Sequence, residues 1–142
     1  MRAVLDPNVI ISATLAVRGT PGRIFRLWFE GGYELVVSAK LLDELERELG
    51  YRKLEDRVPA HDAQELLEIL DRSATHIQDP DGAPDVGSPD PDDDYLIALA
   101  AESKSVLVSD SPQLLGLSGQ IPVRSPTDFL AMIEHPDPKH TR

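Results

Sequence analysis

The chemistry this chain offers lies in four acidic stretches. Asp6 ends a short apolar run in Ala3-Val4-Leu5-Asp6-Pro7-Asn8-Val9, and Asp110 ends Ser105-Val106-Leu107-Val108-Ser109. Val/Leu runs of this length read as buried strands. In open α/β sheets the carboxyl ends of such strands are where ligands bind. Between them lie Asp43-Glu44, within Leu41-Leu42-Asp43-Glu44-Leu45, and the run Asp90-Pro91-Asp92-Asp93-Asp94-Tyr95.

Each stretch also has a purely structural reading. Asp6 with Asn8 suits an Asx turn or a helix N-cap. On the helix carrying Leu41, Leu42, Leu45 and Leu49, Glu44 lies at the flank of the apolar stripe. Periodicity permits Glu44 near a cleft but does not select it over a solvated face shared with Glu46 and Glu48. Asp90 as cap, Pro91 at the first helical position and Asp93 at the third make a strong helix start. Asp94 is left over, three residues before Ile97 on a helix whose Ala98, Ala100 and Ala101 imply close packing. An ionised carboxylate beside such a face needs a partner.

If Asp6, Glu44, Asp94 and Asp110 meet, their charges repel and some take up protons. A divalent cation removes that conflict. Oxygen ligands without thiols or paired histidines select Mg²⁺ or Mn²⁺ over zinc. Such ions activate water and stabilise charge on a phosphoryl group. His61, His76, His135 and His140 lack metal-ligand spacing, and no phosphate-binding glycine loop or nucleophile elbow is present.

The elements that must position these acids alternate. Strands are expected at 2–5, 33–37, 74–77, 105–109 and 121–123. Helices are expected at 9–16, 20–30, 39–50, 60–72, 92–101 and 126–133, with a short helix or turn at 114–115. Gly31-Gly32 and Gly50 read as helix stops, and 79–91 as an exposed proline- and aspartate-rich loop. Alternation implies an α/β fold with a parallel sheet covered on both faces. Residues 1–134 read as one domain, and 135–142 as a polar tail expected to be disordered. Phe25, Trp28 and Phe29 suit the core better than a subunit contact such as a homodimer interface.

The chain has 142 residues, 41% apolar, with no cysteine and a net charge of −11 from 25 acids against 14 Lys and Arg. No apolar stretch approaches the ~20 residues of a membrane span, and the chain opens on a strand, so a cytoplasmic protein is expected. The acidity argues against bulk nucleic-acid binding. A metal-dependent nuclease partly escapes that objection, since its cations face the phosphate. Arg18, Arg23 and Arg26 are candidates for RNA-backbone contact, and Arg23 and Arg26 share a helix face, although a solvated helix surface is the favoured reading of all three.

Taken in order, Val4-Leu5-Asp6-Pro7-Asn8-Val9, Leu41-Leu42-Asp43-Glu44-Leu45 and Asp90-Pro91-Asp92-Asp93-Asp94 resemble the PIN-domain nucleases, in particular the VapC-related toxins of toxin–antitoxin pairs. The resemblance implies a three-layer α/β/α sandwich with a mainly parallel twisted sheet. It implies Mg²⁺- or Mn²⁺-dependent cleavage of single-stranded RNA and a cognate antitoxin. Asp6, Glu44 and Asp94 match the catalytic acids, with Asp6, Asp94 and Asp110 as metal ligands and Asn8 and Asp93 in support. Pro7 stands where the family usually has Thr, and Asp110 falls one position before the family's usual acid. The alternatives are a PIN-fold module with a weakened site that binds antitoxin or RNA, and an aspartyl phosphoryl acceptor at Asp6. The latter lacks its lysine, because Lys104 precedes its strand.

Overall fold

The computed structural model describes residues 1–16, 18–54 and 58–135, the side chains of 52–54 excepted. The tail expected from His135 onward lies, after that first residue, outside the described residues. Five strands form one parallel sheet: β1 (Arg2–Leu5), β2 (Glu34–Val37), β3 (Thr75–His76), β4 (Val106–Val108) and β5 (Val123–Arg124), in the order β3-β2-β1-β4-β5. The fold is the expected α/β sandwich.

Helices α1 (Pro7–Leu15), α2 (Thr20–Phe29), α3 (Ala39–Leu54), α4 (Ala60–Ser73), α5 (Asp94–Ser103), α6 (Pro112–Leu115) and α7 (Pro126–Glu134) connect and cover the strands. Burial of the central strands on both faces explains their unbroken apolar runs: Ala3, Val4, Leu5, Leu35, Val36, Val37, Leu107 and Val108 are all buried. One core continues from these strands to Ile24, Leu41, Leu45, Leu70, Leu99 and Phe129. The Phe129 ring meets Tyr33 edge to face at 5.2 Å. Of the α2 aromatics, Trp28 is buried as expected, whereas Phe29 is 56% exposed.

Strand order sets the location of the chemistry. The chain leaves β1 for β2 and β3 on one side, then returns to place β4 on the other. This reversal opens a crevice at the carboxyl ends of β1 and β4. The register pairs Leu5 with Val108, and the Asp6 amide donates to the Val108 carbonyl at 2.9 Å. The residues following both strands therefore lie side by side.

Several boundaries differ from the sequence expectation, each for a local reason. Helix α1 begins at Pro7, not Val9, because Asp6 caps it through the Asn8 amide. Strand β5 begins two residues later than expected. Pro122 has no amide to give, and its carbonyl instead accepts from Leu107. Helix α3 runs through Gly50 to Leu54. A Cβ at Gly50 would meet nothing within 4 Å, and its φ is not positive. Gly50→Ala is therefore expected to raise stability by about 0.5–1 kcal/mol through helix propensity, read as an increase in Tm.

Candidate functional site: an acidic crevice at the switch point

Asp6 is 7% exposed, yet its carboxylate is well supplied with donors. Ser109 Oγ donates to Oδ2 at 2.8 Å and the Asn8 amide to Oδ1 at 3.1 Å. Pro7, the residue that departs from the family pattern, occupies the first helical position. Its missing N–H would have been an unpaired helix donor in any case, so the substitution leaves Asp6 capped. Burial raises the Asp6 pKa. The Ser109 and Asn8 bonds act against that rise, and the charges of Asp110 and Glu44 add to it.

Asp6 opens onto a cavity of about 280 Å³ that is also lined by Asn8, Glu44, Arg47, Asp93 and Tyr95. Helix α3 delivers Glu44, whose two carboxylate oxygens both accept from Arg47 Nη2 at 2.7 Å. A 3₁₀ turn, Pro91–Asp93, delivers Asp93. Asp90 caps this turn through the Asp92 amide at 3.0 Å. Partial burial pushes the Asp93 pKa up to about 6; the charge of Asp6 contributes next, followed by Asp90, Asp92 and Asp94.

Asp94 occupies a different place from the one expected of it. Its Oδ1 accepts the Ser88 amide at 2.7 Å, and it lines a neighbouring pocket of about 130 Å³ with Lys40, Asp79 and Tyr95. The 3₁₀ turn sets which acid faces Asp6, and it turns Asp93 inward and Asp94 toward the 82–91 loop. Asp110 is exposed. It acts on Asp6 through charge, while the direct contact from the end of β4 comes from Ser109. Ser109 was not singled out in the sequence, and only the Leu5–Val108 register reveals it.

The three arginines proposed for RNA do not line the acidic crevice. Arg23 pairs with Glu134 of α7 at 2.8 Å. Arg26 lines a separate apolar cavity, and Arg18 is exposed. Among the described residues, Arg47 stands in the crevice wall, and the Lys40 ammonium lies 5.3 Å from the Tyr95 ring centroid. Lys104 caps α5 in the left-handed conformation and precedes β4, at the opposite end of the sheet from Asp6.

Chemically, the donor set suits a hard divalent cation. It consists of carboxylates, and two of them are raised in pKa partly because neighbouring negative charges stand uncompensated. As the side chains stand, no group of three among the described residues could hold one ion. Arg47 holds Glu44 to itself.

The Ser109 bond carries a prediction. Ser109→Ala leaves a buried carboxylate with one donor fewer, which costs about 1–3 kcal/mol. Because that bond favours the charged form, Asp6 should bind its proton still more tightly in the variant. The loss of Tm is therefore expected to be larger at pH 7.5 than at pH 4, where protonation relieves it.

The PIN domain family matches residues 2–110, a span that holds every acid of the crevice. The chain belongs to the PIN-domain family. A relative of this PIN domain, uncharacterized protein MJ1680 of Methanocaldococcus jannaschii, is 31% identical over 121 residues, 82% of this chain and 75% of the relative. Three solved structures share the fold. PAE2754 from Pyrobaculum aerophilum superimposes with a TM-score of 0.66 at 15% identity, covering 94% of this chain and 90% of that one. VapBC2 from Rickettsia felis, bound to a DNA fragment from their promoter, gives 0.59 at 14% identity over 88% and 98%. A PilT N-terminus domain protein, SSO1118, from Sulfolobus solfataricus P2 gives 0.53 at 16% identity over 96% and 97%. At such identities these structures establish the PIN fold alone. Among the described residues no helix is long and apolar enough to cross a membrane.

Proposed function

We propose that this PIN-domain protein is a Mg²⁺- or Mn²⁺-dependent endoribonuclease that cleaves single-stranded RNA in the cytoplasm, as the toxin of a toxin–antitoxin pair. The observation that carries the reading is the juxtaposition of Asp6, Glu44 and Asp93 around one crevice at the switch point of the sheet, with the charge of Glu44 acting on Asp6 and that of Asp6 on Asp93. Asp6 and Asp93 would hold the ion, with Glu44 and Asp110 adding negative charge. A bound ion would supply charge neutralisation, an activated water and stabilisation of the phosphoryl group. Ser109 and the Asn8 amide fix the Asp6 carboxylate, and Asp94 ties the 82–91 loop beside the crevice through Ser88.

An antitoxin partner is supported by a second surface. An apolar cavity of about 340 Å³ lies between α1, α2 and α4, with Ile10, Phe25, Phe29 and Leu66 in its wall and Asp62 and Glu65 among its acids. The exposed Phe29 ring beside a cavity of this character suits a protein contact. The R. felis neighbour carries the name of a VapBC pair, which fits that reading.

The test is cleavage of a labelled single-stranded RNA by the purified protein. Fragments are expected with Mn²⁺ and none with EDTA; equal results in both would reject metal dependence. A second reading, a binding module with a weakened site, draws on the Arg47–Glu44 pair and on the acids standing apart. It predicts RNA retention without cleavage under either condition.

A further inference from the structure

Positive charge is scarce around the acids, and its placement is informative. Tyr95 lines both the acidic crevice and the smaller pocket beside it, so the two cavities adjoin. Among the described residues in their walls, Lys40 and Arg47 alone are basic. Both come from α3, and the helix sets their relation. At 100° per residue, Lys40, Glu44 and Arg47 fall within about 60° of arc on one face. Lys40 and Arg47 lie two turns apart on that face, about 10 Å along the axis, so they can serve different phosphates of one strand.

Neither cation is committed to the core. Lys40 is exposed, and its ammonium lies over the Tyr95 ring, paired with no carboxylate among the described residues. Arg47 is 63% exposed and reaches both oxygens of Glu44 through Nη2 alone. An i, i+3 pair this exposed is weak. Nη1 and Nε carry most of the guanidinium's donors and make no hydrogen bond among the described residues. A strand of RNA carries a negative charge at every linkage. Only the phosphate facing Asp6 and Asp93 would share the proposed ion. Its neighbours need cations from the protein, since Glu48, Asp90 and Asp92 also line the crevice and repel them.

We infer that this face of α3 is the track for single-stranded RNA, with Lys40 and Arg47 each binding a backbone phosphate next to the one that faces Asp6 and Asp93. The choice of RNA as occupant rests on the nuclease reading above. The competing explanation is structural: Lys40 orders the Tyr95 ring, and Arg47 pairs along its own helix.

The test is the salt dependence of RNA binding. Fluorescence anisotropy of a labelled single-stranded RNA is followed with the full chain, at fixed Ca²⁺ and about 50–200 mM KCl. A cation on a phosphate releases counterions, so its loss flattens the slope of log K against log[KCl] by about 0.7 for a single strand. Lys40→Gln and Arg47→Gln are each expected to flatten the slope by that amount and to weaken binding about 3–10-fold. Lys40→Arg and Arg47→Lys should restore most of the slope, because the charge is kept. Lys104→Gln, at the opposite end of the sheet, removes the same charge and should leave slope and affinity at their wild-type values. A wild-type slope in either glutamine variant of α3 would overturn the inference, whatever happens to Tm. An equal flattening by Lys104→Gln, or no RNA binding by wild type, would overturn it as well. Wild type that cleaves RNA with Mn²⁺ while the α3 variants keep its slope fails the track alone. Wild type that never cleaves, beside α3 variants that both lose slope, fails the nuclease reading and leaves the track in place.

Discussion

Asp6→Asn is expected to abolish Mn²⁺-dependent cleavage of single-stranded RNA, lowering the rate by about 10³-fold or more. That factor corresponds to ~4 kcal/mol of transition-state stabilisation, the scale expected when a metal site is lost. The substitution is nearly isosteric. The remaining carbonyl oxygen can still accept from the Asn8 amide and cap α1, and the new amide can donate to Ser109 Oγ. The protein also sheds a buried charge whose pKa is raised by that burial, so the variant should melt no lower than wild type at neutral pH. Loss of cleavage with an unchanged Tm separates chemistry from folding. Cleavage within a few-fold of wild type would remove Asp6 from the site.

Asp93 and Asp94 should part company in the same assay. Asp93→Asn is expected to cost at least ~10²-fold in rate, because Asp93 faces Asp6 across the crevice. Asp94→Asn should cost less, since Asp94 is bonded to the Ser88 amide and lines the neighbouring pocket. Stability gives an independent reading. The Asp93 carboxyl has its ordinary value of 3.8 raised to about 6 in the folded protein. Between those two pH values the folded chain holds a proton that the unfolded chain has released, so stability falls as pH rises through the window. Above about pH 6 the whole penalty is present. Asp93→Asn removes it, and after allowance for solvent screening about 1 kcal/mol of stabilisation is expected at pH 7.5. This amounts to ~2–4 °C in Tm. The gain should vanish below pH 4. A variant that melts lower than wild type at pH 7.5 would contradict the repulsion on which the site is built.

Much of the fold was legible because the strands are buried on both faces. Val4-Leu5 and Val106-Leu107-Val108 have no polar interruption, and each is followed by a polar or acidic stop. The crevice could be anticipated from those stops alone. Which acid faces it could not. In Asp92-Asp93-Asp94 all three side chains are identical, and the choice is made by a 3₁₀ turn with a different angular step from an α-helix and by the Ser88 amide, which captures Asp94. Ser109 was hidden for a similar reason: its bond to Asp6 depends on the β1–β4 register, over a separation of 103 residues. Arg23 and Arg26 do share a helix face, but that face meets α7 and the apolar cavity, where tertiary neighbours absorb them. The spacing within α2 carries no trace of either.

Titration calorimetry with Mn²⁺ at pH 7.5, on wild type beside Asp6→Asn and Asp93→Asn, tests the shared acidic site most directly. Wild type should take up Mn²⁺ saturably, with Kd in the millimolar range or tighter, and each variant should lose that uptake. No uptake by wild type, or uptake undiminished in both variants, would mean that these carboxylates do not form a cation site.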